Sequence, residues 1–168
     1  VTARLEPGHL IINELIGNRL DRLFGPQHGF STLDQDNMIE TSHQVHPSLG
    51  IPVYSLYSSA RQPSPEMLNG LDTLIIDLQD VGTRVYTYIW TLYLIMESCR
   101  QRNIRILVLD RPNPIDGLTI EGNLPQTAWY SFVCMAQIPM QHGLSIGEMA
   151  LLFNQEFNNE VNLEVVPM

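Results

Sequence analysis

Four loops carry residue types that could do chemistry. FGPQHGF, at 24–30, sets Gln27 and His28 between a proline and a glycine. DLQDVGTR, at 77–84, runs from Asp77 through Asp80 to Arg84 and on to Tyr86. DRPN, at 110–113, aligns Asp110, Arg111 and Asn113, and the same long loop carries Glu121; QHG, at 141–143, adds His142. Carboxylates, amides, arginines and tyrosines together suit a sugar or peptide site. The acids and bases move protons, while the amides and guanidinium groups read polar substituents.

Other chemistries lack their residues. All 9 basic side chains are arginine, so Schiff-base lysines and phosphate-binding Walker lysines are excluded. No G-x-G-x-x-G follows a strand, no hydrolase serine elbow is expected, and neither Cys99 nor Cys134 sits in a polar loop. Carboxylate chemistry remains.

Each candidate also has a structural alternative. Asp77, at a strand end, reads as a loop or helix cap, while Asp80 is as ready to face a crevice as to brace a turn. Asp110 and Arg111 form either a structural ion pair or part of a site. Tyr88 reads as core and Tyr86 as a platform for a sugar ring. Ser145 and Glu148 have the spacing of a capping box. The pair His43-x-x-His46 lacks a carboxylate or cysteine to complete a site, so no metal is expected.

These loops need elements to position them. Helices are expected at HLIINELIGNRL, after Ser64-Pro65, over YTYIWTLYLIMESCRQRN and at about 146–158. Strands are expected at LDRLF, IPVYSLY, LDTLIIDL, IRILVLD and VNLEVV. The apolar runs of the third and fourth suggest a sheet covered on both faces. Alternating helices and strands predict one α/β domain over 1–168: an open, mostly parallel sheet with helices on both faces, Rossmann-like. In such a sheet the loops after the strands' carboxyl ends line the ligand crevice, so topology should gather the polar loops at one edge.

The 168 residues suffice for one domain with a core, and a composition of 44% hydrophobic and 16% charged residues is that of a globular chain. A net charge of −9 argues against nucleic acid as a partner, since phosphate binding needs clustered cations. No apolar run reaches the roughly 18 to 20 residues that span a bilayer. Two cysteines are too few for a disulfide scaffold. The chain opens at Val1 and reads as an excised piece, so the lack of a signal peptide does not argue for the cytoplasm.

Taken in order, FGPQHGF, GIPVYSLY, PEMLNGLDTLIIDLQDVGTRVYTY, LDRPNPIDG, EGN, SFV and IPMQHGLSIGEMALLFN resemble a known family. It is the NamZ-type exo-β-N-acetylmuramidases, once called DUF1343 and classed as glycoside hydrolase family 171. The resemblance runs from about Leu23 to Met168. It implies a Rossmann-like N-terminal domain followed by a smaller C-terminal domain, the second being absent here. It also implies release of N-acetylmuramic acid from non-reducing ends of peptidoglycan fragments without a cofactor, with a peptidoglycan sugar or muropeptide as partner and an exported protein.

Three positions depart from the family pattern. Gln27 stands where the family usually has Glu, Gln141 where it usually has Arg, and Asp116 where Gly is commoner. The resemblance and the loop chemistry together name Glu121, Asp80, His28 and Gln27 for catalytic roles. Arg84, Tyr86, Asp110, Arg111, Asn113 and His142 are named for substrate binding. Glu121 is chosen because Gly122 beside it would let the backbone approach a ligand. Two rivals stand beside the glycosidase: a homologue that binds muropeptides but cleaves them poorly, and a nucleotide- or phosphate-binding Rossmann domain without the glycine fingerprint.

Overall fold

The structure, a computed structural model, describes residues 19–30, 40–100, 102–157 and 160–168. The helix expected over HLIINELIGNRL lies outside them except for its last two residues. The chain divides into two compact units, one ending at Arg61 and one beginning at Gln62. The described strands pair as two three-stranded sheets, one in each unit.

In the first unit, β1 (Leu23–Gly25), β2 (Gln44–Val45) and β3 (Pro52–Ser55) run in the order β1-β3-β2. β1 is parallel to β3, with Leu23 opposite Val53, and β2 is antiparallel to it. Pro52 opens β3, where a missing N–H is tolerated. Leu23 and Val53 form a small core backed by Leu20, Phe30, Leu49 and Ile51. Arg61 lies over the Tyr57 ring, its guanidinium carbon 3.7 Å from the centroid, a cation–π contact.

The second unit is built on an all-parallel sheet in the order β4 (Thr73–Ile76), β5 (Arg105–Leu109), β6 (Asn162–Val166). Parallel neighbours need crossovers. Helix α2 (Tyr88–Cys99) joins β4 to β5, and α3 (Ile146–Glu156) lies between β5 and β6. The short α1 (Pro65–Leu68) precedes them, with Ser64 as its N-cap and Pro65 in the first turn, as expected.

The continuous apolar runs of β4 and β5 suggested burial on both faces, but burial alternates. Leu74, Ile76, Ile106 and Val108 are buried, while Ile75, Leu107 and Leu109 on the other face are half-buried. α2 buries eight of its twelve residues, including the expected Tyr88, Leu92, Ile95, Met96 and Cys99. It begins two residues later than the sequence pattern suggests, because Thr83 O accepts from Tyr86 N and holds that residue in a turn. Its last turn is finished by Arg102, whose Nε donates to Ser98 O at 3.0 Å.

α3 opens on the expected capping box. Ser145 Oγ accepts from Glu148 N, and Glu148 Oε2 accepts from Ser145 N. Phe153 of α3 meets Trp90 and Tyr93 of α2 at ring separations of 6.0 and 5.1 Å, locking the helices by tilted and edge-on contacts. Among the described residues no helix is long and apolar enough to cross a membrane.

Both cysteines are free and buried. Burial raises the Cys99 thiol from 9.0 to about 11. A folded pKa above the unfolded one contributes stability that is fully present below about pH 9 and lost as pH rises toward 11. Wild type is therefore expected to lose up to about 2–3 kcal/mol more than Cys99→Ala between those limits, read from urea midpoints at stepped pH. Parallel pH curves for the two proteins would refute it.

Candidate functional site

The carboxyl ends of β4 and β5 are tied by charge. Arg111 Nε donates to Asp77 Oδ1 at 2.7 Å, an ion pair between the residues that follow adjacent strands. Asp77 is thus an ion-pair partner of Arg111. The sequence neighbours Asp110 and Arg111 do not pair through their side chains as anticipated. Asp110 turns instead to the start of α3: its Oδ1 accepts from Gly147 N at 2.7 Å and Arg111 N at 2.9 Å, and its Oδ2 from Ser145 Oγ at 3.0 Å. An acidic group suits a helix N-terminus, where unpaired N–H groups and the dipole attract it. Gly147 has to be small there, since a Cβ would lie 2.7 Å from Asp110 Cγ and 2.6 Å from Val165 Cγ1.

Beyond the strand ends, three loop segments form a short ladder with Gln141 in the middle. Gln141 bridges Thr83 on one side and Glu121 on the other. Glu121 and Gln141 exchange both backbone hydrogen bonds, at 3.1 and 2.9 Å, and Arg84 N donates to Met140 O at 2.8 Å. Arg84 clamps the ladder from beneath. Its Nη1 reaches Asn123 O at 2.8 Å and Ile138 O at 2.7 Å, and its own carbonyl accepts from Trp90 Nε1. Glu121 is exposed, whereas Arg84 is buried. Gly122 has φ +88°, and a Cβ there would stand 2.5 Å from Met140 Cβ. This glycine permits a close approach to Met140.

Under the ladder sits a buried acid–imidazole pair. His142 Nε2 lies 3.1 Å from Asp80 Oδ2, with both side chains almost wholly enclosed. His142 Nδ1 accepts from Leu144 N at 3.2 Å, so in the neutral ring the proton sits on Nε2, facing the carboxylate. Asp80 Oδ2 also accepts from Gly82 N at 2.8 Å. Oδ1 of Asp80, Nε2 of His142 and Nε of Arg84 have no aligned hydrogen-bond partner. Asn113 completes the circuit: Nδ2 donates to Leu144 O at 3.1 Å, and Oδ1 accepts from Ile115 N at 3.0 Å. Gly82, at φ +82°, leaves room for that amide, and a Cβ would collide with it.

Tyr86 is half-buried, with its ring 4.7 Å from that of the enclosed Tyr88. Burial, and then Tyr86, push the Tyr88 phenol well above its ordinary range.

The Gln27 and His28 loop belongs to the first unit and has its own geometry. Gly29 N donates to Pro26 O at 3.0 Å, closing a turn whose third residue, His28, has φ +72°. A type II turn demands that sign at its third position and normally takes Gly or Asn there. Both Gln27 and His28 are half-buried. Gly25 lets the chain fold back, since a Cβ would meet Phe30 N at 2.8 Å. His43 and His46 have local duties, their Nδ1 atoms accepting from Ser55 N at 3.0 Å and Leu49 N at 3.3 Å.

Residues 143–147, GLSIG, match the letters G-x-S-x-G, against the expectation that the chain lacks a hydrolase serine motif. The geometry removes the conflict. Ser145 is a buried helix cap with extended backbone dihedrals, and its hydroxyl is engaged by Glu148 N and Asp110; an elbow serine stands strained and exposed. The sequence reading gave no structural role to two residues. Gln79 bridges loops through Nε2, to Asp80 O at 2.8 Å and Pro112 O at 3.0 Å. Asp116 braces the outer loop, and the N–H groups of Thr119 and Leu118 hold its carboxyl below the ordinary range. The Asp116-Gly117 pair, a turn signal, could have flagged the second; nothing local flags the first.

A parallel βαβαβ sheet whose carboxyl-end loops gather acids, amides and an imidazole defines a Rossmann-like domain with a polar loop site. The chain belongs to the family described as exo-beta-N-acetylmuramidase NamZ, N-terminal, which matches residues 1–168, in agreement with the seven ordered motifs. It is 46% identical over 150 residues to the peptidoglycan beta-N-acetylmuramidase NamZ of Bacillus subtilis strain 168, covering 89% of this chain and 36% of that protein. Two crystal structures of DUF1343 family proteins from Bacteroides fragilis NCTC 9343 share the fold. One has 44% identity and a TM-score of 0.73 over 86% of this chain and 36% of its own length. The other has 32% identity and a TM-score of 0.75 over 95% and 42%. The chain therefore spans well under half the length of these relatives.

Gly82→Ala should destabilise the second unit by at least about 2 kcal/mol, through a positive φ and a collision with Asn113. Thermal melting should fall by about 4–8 °C on the scale for chains of this size. An unchanged melting temperature would show that the Asn113 contact is dispensable.

Proposed function

We propose that this chain is the carboxylate-bearing N-terminal part of an exo-β-N-acetylmuramidase, a glycosidase that removes N-acetylmuramic acid from non-reducing ends of peptidoglycan fragments. The observation that carries this reading is the family match over 1–168, joined by 46% identity to a protein named for that activity. The geometry adds a candidate for the chemistry. Glu121 is an exposed carboxylate on a backbone fixed on both hydrogen bonds to Gln141.

Glycosidases of the common type use two carboxyl groups: an acid for the leaving oxygen, and a base or nucleophile on the opposite side of the sugar. Glu121 is the second unit's candidate for one of these roles. In the first unit, Gln27 stands where the family usually has Glu. A glutamine amide can hydrogen-bond a glycosidic oxygen but has no proton to give it. His28, beside it, orients the sugar. Tyr86, half-exposed, is the platform for a sugar ring, and Arg111 and Asn113 stand nearest the β5 end to meet the lactyl carboxylate or the acetamido group.

Gln27 favours a second reading, in which the protein binds muropeptides and cleaves them slowly. Loss of general acid catalysis lowers rates by about 10² to 10⁴-fold, roughly 3 to 5 kcal/mol in barrier.

The test is hydrolysis of a chromogenic β-N-acetylmuramide by the longest native polypeptide containing this chain, beside Gln27→Glu and Glu121→Gln. Glu121→Gln should lower kcat by about 10² to 10⁴-fold with an unchanged melting temperature, since the side chain is exposed. Gln27→Glu should raise kcat if the second reading holds and leave it unchanged if the wild type already turns over well. Absence of turnover in both wild type and Gln27→Glu would end the glycosidase assignment.

A further inference from the structure

We infer that Asp80 and His142 are positioning residues: as a buried pair they hold the Gln141 segment in register and so set where the Glu121 carboxylate stands. The inference deepens the glycosidase reading and, in its kinetic arm, rests on it.

The outer loop that bears Glu121 has little else to hold it. Residues 117–124 are all exposed. Their ties include the paired backbone bonds between Glu121 and Gln141, the Arg84 bond to Asn123 O, the bonds of Leu118 N and Thr119 N to the Asp116 carboxylate, and close packing of Gly122 on Met140 and of Thr119 on Gly143. Every one of those partners except Arg84 and the loop's own Asp116 lies in 140–143. The position of Glu121 is therefore set by the position of the Gln141 segment.

That segment is pinned from below by the next residue. His142 N donates to Gly82 O at 3.4 Å, Nδ1 accepts from Leu144 N, and Nε2 faces Asp80 Oδ2 at 3.1 Å. Asp80 in turn grips Gly82 N. The contacts close a ring, from Asp80 through Gly82 and Asn113 to Leu144 and His142 and back to Asp80. The ring spans the loop after β4, the loop after β5 and the entry to α3, and Gln141 is carried on it.

The energetics say why such a pair specifies geometry and does not merely add stability. Enclosing an Asp and a His costs desolvation that their mutual attraction only partly returns, and an apolar pair of the same volume would often be as stable. Removing one partner leaves the other enclosed without the polar group it faces, while Oδ1 of Asp80 already lacks a donor. The ring tolerates few rearrangements, so the ladder above it has one register.

Three variants of the longest native polypeptide test the inference: Asp80→Asn, which keeps an acceptor for Gly82 N but removes the charge, His142→Gln, and the double variant. Amide hydrogen exchange is read at Gln141, Glu121, Ile106 and Val108. Each single variant should speed exchange at Gln141 and Glu121 by about tenfold or more and leave Ile106 and Val108 protected, because the loop opens without the sheet. With chromogenic substrate, kcat should fall by about tenfold or more with KM within about threefold. The double variant should be no worse than the more damaging single one, since the two side chains act as a unit.

Unchanged exchange at Gln141 and Glu121 would overturn the inference. So would equal loss of protection at all four amides, which marks a purely structural pair, and so would additive effects in the double variant. If the wild type shows no turnover, the glycosidase reading falls, and the exchange data alone decide whether the pair fixes the loop.

Discussion

The second unit depends on one carboxylate. Asp110 leaves β5 with its backbone N–H on Val166 O and its side chain on two donors at the start of α3, Ser145 Oγ and Gly147 N, and on Arg111 N. Strand β5, strand β6 and helix α3 meet at that residue. A helix N-terminus presents N–H groups that have no partner within the helix, and an acidic group at a strand end can satisfy them while the dipole favours its charge. Gly147 has no side chain, so the helix can come this close, and Val165 of β6 packs into the same space. Once α3 is fixed by Asp110, the segment that enters it, 138–145, is fixed too, and the ladder is built on that segment.

This arrangement sorts the polar residues into two groups. Asp77, Arg111, Asp80, Asp110, Asn113, Arg84 and His142 are engaged with one another or with backbone groups within the fold. Glu121 is held through its backbone alone and keeps its carboxylate in the open. The loops therefore form a frame around a small number of outward-facing groups. A site built so needs many charged residues to place one, because each enclosed charge must be matched by another or by hydrogen bonds.

What could be read from the sequence was what is local. The Ser145–Glu148 box, the Ser64-Pro65 start of α1, the apolar face of α2 and the strands IRILVLD and VNLEVV all depend on residues within a few positions of one another, and all are present. Pairings over long separations were not legible. Nothing near Arg111 says that its partner is Asp77 and not its neighbour Asp110, and nothing near Gly122 says that Met140 is what approaches it. The division of the described strands into two sheets has the same origin, since strand propensity does not name the pairing partner. The letters GLSIG show the converse hazard: a motif gains its meaning from backbone conformation, and here the backbone makes a cap.

The turn at 26–29 bears on which of the two functional readings the chain favours. A histidine at φ +72° is costlier than glycine there by about 1–2 kcal/mol. Left-handed conformations of this kind are concentrated where a side chain must be presented in one direction, at ligand sites and clamps. Pro26 and Gly29 are buried, and Gly25 makes room for the chain to return, so the turn is a built feature and not a loose end. A loop that had lost all function would be under no constraint to keep a strained imidazole. A loop that had lost only its acid would keep the turn and the histidine and change the neighbouring carboxylate alone. Glutamine preserves the shape of glutamate but turns one of its two acceptor oxygens into an N–H donor and has no acidic proton. On the proposed glycosidase reading, a strained His28 beside Gln27 is therefore what a turn kept for recognition and altered in its acid would show.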